Sequence, residues 1–288
     1  MDRDAELAVV RRAYARQVVA AAGMTDGAIE AAFAAVRREN FMGAGPWQML
    51  RHGGYKATPG DDPVYLYTDD LVALDAERGL NNGQPSLHAF LLAAAGPRAG
   101  DHVVHVGMGS GYYTAIMAEL VGPSGRVTGI EIDPHMAARA RDNLSDRANV
   151  EILEGDGAAV AFAPADVIYV NAGATAPAAA WLDWLKDGGR LILPLTAHAE
   201  SARAGPAGSC ARGAVFRITR HGGEHDAKWI APVAIFPCAG NRDPVSERAL
   251  AAALAAGGAR DVTRLYRHGD VAEEDCWLRG EGWCLAYR

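Results

Sequence analysis

Long apolar runs, cysteine and positive charge are all scarce in this chain. No stretch reaches the roughly 18 consecutive apolar residues that suggest a membrane-spanning helix. The N-terminal Met1-Asp2-Arg3-Asp4-Ala5-Glu6 is charged and leads into an amphipathic pattern, unlike a secretory signal. The expectation is a cytoplasmic protein with no membrane partner. Cys210, Cys238, Cys276 and Cys284 are the only cysteines; they are widely spaced and form no C-x-x-C pair. So low a density excludes a disulfide scaffold, and reduced thiols are expected. Lys and Arg number 28 against 35 Asp and Glu, a formal charge of -7. Nucleic acid is therefore not the expected partner, because binding its phosphates calls for a clustered basic face. A metal pair is missing as well. His221 and His225 are four apart, but Gly222 and Gly223 between them make a turn rather than a helix face, and no metal site is expected.

What is present is ordinary for a globular chain, with half of the 288 residues hydrophobic and 22% charged. There is enough apolar material for a sizeable core. Residues 4 to 22 place Leu7, Val10, Tyr14 and Val18 on one helix face, and Gly23 ends it. Thr25 is expected to cap a second helix carrying Ile29, Phe33 and Val36. Gly43 to Gly83 reads as a loop-rich region whose Trp47, Tyr55, Tyr65, Tyr67 and Asp69 could wall a substrate site. From Ser86 onward helical and strand patterns alternate. Helices are expected near 86–95, 112–121, 134–144 and 176–186, and strands near 103–106, 126–131, 150–154, 166–170 and 190–195. Such alternation implies an α/β fold with a mostly parallel sheet and helices on both faces. Segments 214–219 and 228–236 read as an antiparallel hairpin, with Ala199 to Gly213 as a surface loop. Beyond Gly240 follow an Ala-rich helix over 244–256 and strands near 262–266 and 277–287. Trp277, Leu278, Trp283 and Leu285 make this extension too apolar to leave in water, so it is expected to pack on the sheet edge or on a second subunit.

The most informative stretch is Val103 to Ala115, Val-Val-His-Val-Gly-Met-Gly-Ser-Gly-Tyr-Tyr-Thr-Ala. An apolar strand runs into glycines at alternate positions and then into a helix. Such a turn lets a ligand approach the backbone closely and aims amide N–H groups at it. A dinucleotide fingerprint wants G-x-G-x-x-G, but Tyr112 stands where its third glycine would be. Gly107, Gly109, Ser110 and Gly111 fit S-adenosylmethionine (SAM) better. Glu131, with Ile132 beside it, ends the next strand near the roughly 20-residue spacing at which an acid meets ribose hydroxyls. Its charge-assisted hydrogen bonds are worth about 1.5–3 kcal/mol each, so losing them is expected to weaken cofactor binding roughly ten- to a hundredfold. Gly155-Asp156-Gly157 and Asn171 follow two later strands, at the ends where open α/β sheets bind ligands. His105 reads as a core histidine; His88, on the helix after the Gln-Pro loop, reads first as a structural residue, with a place near the cofactor as the alternative.

The succession VVHVGMGSGYYTA, VTGIEID, VEILEGDG, ADVIYVNAGA and LKDGGRLILPL resembles the class I SAM-dependent methyltransferases, and in particular the protein-L-isoaspartate O-methyltransferase family. Val36-Arg37-Arg38-Glu39-Asn40-Phe41 resembles that family's N-terminal helix exit, Gly83-Gln84-Pro85 its Ser-Gln-Pro loop, and the 216–237 region its terminal hairpin. The resemblance implies a Rossmann-like sheet of seven strands, one of them reversed, with SAM as cofactor and Asp156 or the adjoining backbone on the adenine amino group. It also implies methylation of a carboxylate on a protein, a peptide or a small molecule. One departure bears on that activity: the loop's active-site serine is Gly83 here. Asn82, Gly83 and Ser86 are the candidate catalytic positions, with Asn81, Tyr67 and Asn171 as further positioning groups. Gly83→Ser is expected to raise isoaspartyl activity about ten- to a hundredfold, provided the backbone there does not need a positive φ. The expected organisation is a methyltransferase domain over 1–240, comprising N-terminal helices and substrate loops (1–85) and a cofactor-binding sheet (86–240). An extension over 241–288 follows, a candidate surface for homo-oligomers. The alternatives are a methyltransferase for another acceptor and a noncatalytic SAM-binding protein.

Overall fold

A computed structural model describes residues 2–51, 54–198, 211–267 and 271–288. The chain opens with helices α1 (Arg3–Ala21), α2 (Gly27–Ala35) and α3 (Glu39–Met42), then strands β1 (Gln48–Arg51), β2 (Gly54–Ala57), β3 (Leu71–Asp75) and β4 (Leu80–Asn81). Helix α4 (Pro85–Ala95) leads to β5 (His102–Val106), α5 (Tyr112–Val121), β6 (Arg126–Glu131), α6 (Pro134–Asn143), β7 (Val150–Glu154), β8 (Ala165–Val170) and α7 (Ala179–Asp183). Then come β9 (Leu185–Ala197), β10 (Ala211–His221), β11 (Glu224–Ile235), α8 (Pro244–Ala256), β12 (Arg264–Arg267), β13 (Cys276–Gly280) and β14 (Trp283–Ala286). None of the helices in the described residues is long and apolar enough to cross a membrane. The fold is α/β, and its chain divides into two compact units.

The first unit comprises the residues up to Asp101 together with Met108–Glu154. Its helices α1, α2, α4 and α5 pack together through Tyr14, Phe33, Leu92, Tyr112 and Ile116, all buried. Asp26 rather than Thr25 caps α2, accepting from the amides of Ala28 and Ile29 at 3.0 and 3.1 Å; its carboxylate sits one residue closer to the free N–H groups. Arg38 is wholly buried beside Tyr14 and Tyr112. Its guanidinium donates to the carbonyls of Leu66, Thr68 and Asp70 at 2.6, 2.8 and 2.9 Å, pinning that loop. The region expected as loops instead holds an antiparallel sheet in the order β2-β1-β3-β4. Its strands are too short to show periodicity above the surrounding Gly and Pro. Strands β6 and β7 pair in parallel, with α5 and α6 packed on them.

The second unit comprises His102–Gly107 and Gly155–Arg288. Among its described residues, eight strands are ordered β13-β14-β12-β11-β10-β9-β8-β5. β5, β8 and β9 are mutually parallel, and the hairpin β10–β11 adds antiparallel to β9. The extension adds three strands, β12, β13 and β14, beyond those the resemblance implies. β12 pairs with β11, β14 with β12, and β13 with β14. The single strand expected at 277–287 is the β13–β14 hairpin, turning at Gly282 with φ +72°. β9 starts well before residue 190, and α7 is correspondingly short. The loop expected over 199–213 lies outside the described residues up to 210, and Ala211–Gly213 already belong to β10. The expectation of reduced thiols is overturned for one pair: Cys276 and Cys284 form a disulfide, with Cα atoms 6.2 Å apart. The hairpin brings together two cysteines whose sequence spacing carries no pairing signal.

Candidate functional site

In the first unit the glycine-rich turn is built by φ rather than by side chains. Gly109 and Gly111 have φ of +56° and +92°, and a Cβ on Gly111 would stand 2.6 Å from Leu144 Cδ1. Gly111 caps α5 and fixes the start of that helix. The Gly109 amide donates to Glu131 Oε2 at 2.7 Å, and the Asp133 amide to Glu131 Oε1 at 3.0 Å. Burial pushes the Glu131 carboxyl above its ordinary value, and these backbone bonds oppose the rise. Asp133 is paired with Arg78 at 2.5 Å and caps α6 through the amides of His135 and Met136. Ile132, beside Glu131, leaves a large apolar side chain exposed. Ser110 is fully buried, its carbonyl accepts from Asn143 at 2.9 Å, and its hydroxyl has no partner among the described residues.

The candidate acceptor loop adjoins this turn in the same unit. Tyr113, in the first turn of α5, donates to the Gly83 carbonyl at 3.2 Å and stacks on His88 at 3.6 Å. Asn82 is buried, its amide donates to the Val72 carbonyl, and its side-chain nitrogen has no partner among the described residues. Asn81 accepts from the Gly83 amide at 3.1 Å. The Ser86 hydroxyl donates to Asp69 at 2.6 Å; the Ser86 amide and the Gln84 side chain donate to the same carboxylate at 2.7 and 2.9 Å. Tyr67 donates to Glu39, and burial pushes its phenol well above the ordinary value. The condition attached to Gly83→Ser fails. Gly83 has φ +75°, and a Cβ there would lie 2.4 Å from His88 Nε2.

In the second unit, β5 is followed by Gly107, with φ +75°, where a Cβ would come within 3.3 Å of the Asn171 carbonyl oxygen. The Asn171 amide donates to the Val106 carbonyl at 2.8 Å, and its side chain to the Gly107 carbonyl at 3.3 Å. Asp156 is half-buried, accepts from the Ala158 amide at 2.9 Å, and is followed by Gly157, whose carbonyl takes the Trp181 indole N–H at 2.8 Å. His105 is fully buried, and burial lowers its pKa to about 3. His221 and His225 lie on the two strands of a hairpin.

The model of the protein-L-isoaspartate(D-aspartate) O-methyltransferase family matches residues 17–204. The chain belongs to that family. A relative of that name from Ignicoccus hospitalis is 40% identical over 150 residues, covering 51% of this chain and 64% of the relative. One from Methanopyrus kandleri is 38% identical over 153 residues, covering 51% of this chain and 66% of the relative. The chain thus spans just under two thirds of the length of these curated relatives. A solved protein-L-isoaspartate O-methyltransferase superposes with a TM-score of 0.64 at 26% identity, covering 80% of this chain and 66% of that chain. A Plasmodium falciparum structure of the same family type, solved with S-adenosyl-L-homocysteine, gives 0.61 at 18% identity over 80% of this chain and 99% of that chain; it speaks for the fold. Sequence reasoning missed the parts of the site that the family match does not single out. Leu74, whose Cδ1 would lie 3.3 Å from a Cβ on Gly109, and Arg78 belong to the short β3–β4 hairpin. Asp69, named from the sequence as a possible wall of the substrate site, carries three hydrogen bonds from the candidate acceptor loop, partners the sequence does not indicate.

Proposed function

We propose that the chain is a SAM-dependent O-methyltransferase that methylates a carboxylate, in the first instance an isoaspartyl side chain of a protein or peptide. The observation that carries this reading is the bond from the Gly109 amide to Glu131, which sets a strand-end carboxylate against a turn of alternating glycines. Gly107, Gly109, Ser110, Gly111, Glu131, Ile132, Asp156, Gly157 and Asn171 would hold the cofactor. The residues fit it: the Ser110 hydroxyl is buried in the glycine turn with no partner among the described residues, a polar group left for a ligand. SAM supplies an activated methyl group on a sulfonium. This chain's part is alignment, and positioning of that kind can contribute about 7–11 kcal/mol. A carboxylate acceptor needs no general base, so none is assigned. Asn82 offers its buried side-chain N–H groups to the acceptor, and Gly83 and Ser86 shape the loop, with Ser86 held by Asp69.

The family's serine is replaced by Gly83, and His88 fills the space its side chain would take. That favours a second reading, a different carboxylate acceptor with the same cofactor. Transfer of labelled methyl from SAM to an isoaspartyl peptide and to a crude cell extract separates the two. Labelling of the peptide supports the first reading, labelling of the extract alone the second, and labelling of neither a noncatalytic SAM-binding protein. The same proposal places the protein in the cytoplasm. It assigns 1–240 to the methyltransferase domain and 241–288 to an extension, with homo-oligomer contacts, where they form, through that extension.

A further inference from the structure

The segment after β11 lies beyond the residues that the family model matches, yet it packs against two turns of the second unit that carry proposed cofactor residues. The first is the loop after β8. Gly173 donates its amide to the Phe236 carbonyl at 2.8 Å and accepts from the Cys238 amide at 2.9 Å. No side chain fits at Gly173, because a Cβ would lie 2.1 Å from Thr196 Oγ1. The Thr175 amide donates to the Asn241 carbonyl, and the Asn241 side chain donates to the Ala176 carbonyl at 2.7 Å. Arg242 anchors the segment: one guanidinium nitrogen reaches the Gly173 carbonyl at 2.7 Å and Thr196 Oγ1 at 3.2 Å, the other Glu247 at 2.6 Å. The same loop begins with Asn171, which donates to the Gly107 carbonyl. The second turn is Gly155-Asp156-Gly157. A Cβ built on Gly240 would stand 2.3–2.5 Å from all three atoms of the Asp156 carboxylate. The Gly240 backbone therefore lies directly against the group assigned to the cofactor's base.

We infer that Phe236–Arg242 is a wall of the cofactor site, in which Arg242 holds the Asn171–Thr175 loop in place and Gly240 sets the direction of the Asp156 carboxylate. Both are positioning residues, and the inference rests on the cofactor role proposed for Asp156. Any residue with a Cβ at position 240 must displace the carboxylate, whose one side-chain hydrogen bond among the described residues is from the Ala158 amide, so the quantity expected to change most is ligand affinity rather than folding.

The test is calorimetric titration of the full chain with S-adenosylhomocysteine, alongside thermal denaturation. Gly240→Val is expected to weaken binding about tenfold or more, the scale of one charge-assisted hydrogen bond, at unchanged melting temperature. In an Asp156→Ala background the same substitution is expected to add almost nothing, since contacting residues are non-additive. Arg242→Ala is expected to weaken binding several-fold, with Arg242→Lys recovering part of the loss; a purely structural role would lower the melting temperature and leave affinity alone. If Asp156→Ala weakens binding while Gly240→Val and Arg242→Ala do not, the wall is overturned and the cofactor role of Asp156 stands. If Asp156→Ala itself leaves affinity unchanged, that role falls and the inference falls with it.

Discussion

Single residues in this chain are constrained by what touches them more than by what they are. Gly83 shows it best. Serine at this position meets a positive φ of +75° and a histidine nitrogen 2.4 Å from its Cβ. Strain and overpacking of this kind cost about 1–3 kcal/mol each, so Gly83→Ser is expected to lower the melting temperature without restoring a family-like hydroxyl. Differential scanning calorimetry checks it, and an equally stable, more active variant would show that His88 moves aside. Glu131 carries the opposite expectation. On the cofactor role proposed for Glu131, Glu131→Ala is expected to remain folded and bind SAM and S-adenosylhomocysteine roughly ten- to a hundredfold more weakly, the worth of one charge-assisted hydrogen bond. Titration calorimetry reads the change directly, and unchanged affinity would remove Glu131 from the site.

At the scale of elements, strands β6 and β7 and helices α5 and α8 were legible because each carries a long apolar period or a Gly, Pro or Asp at its boundary. The conformation of the glycine turn was legible as well, since a strand-to-helix turn with positive φ demands glycine at fixed positions. The β1–β4 sheet was not. Its strands are two to five residues long, and pairing rather than periodicity defines them. Nor was the role of Asp69, whose three donors come from residues well separated from it in sequence. β5 carries a pH dependence that its sequence only hinted at through a core histidine. Burial lowers the His105 pKa from 6.5 to about 3, so between those values the unfolded chain binds a proton that the native state refuses. The sign follows: this contribution is fully present above pH 6.5 and is lost as the pH falls toward 3, at up to about 1.4 kcal/mol per pH unit. Urea midpoints measured across that range are expected to fall more steeply for the native chain than for His105→Asn; parallel curves would remove His105 as the cause.

The whole molecule depends on the extension in a way that a domain boundary near residue 240 hides. Leu250, Leu265, Trp277, Leu278 and Leu285 are buried. Trp277 packs on Phe216 of β10 at 5.4 Å and donates its indole N–H to the Gly257 carbonyl at 2.7 Å. β12 covers the free edge of β11 through the His225–Leu265 and Asp226–Arg264 pairs. Truncation after Gly240 therefore bares Phe216, opens a sheet edge that can pair with another chain, and removes Arg242 from the Gly173 carbonyl. A large side chain that loses its cover forfeits about 1.5–3 kcal/mol, a sizeable part of the roughly 5–15 kcal/mol by which a domain is stable. The shortened chain is expected to melt earlier, bind an apolar dye and self-associate during size-exclusion chromatography. A monodisperse fragment with the native melting temperature would show that the β12–β14 strands and α8 decorate the sheet without supporting it. The outcome expected here makes the extension part of the folding unit, so that loss of cofactor binding on truncation has to be read against the point variants Gly240→Val and Arg242→Ala, which leave that cover in place.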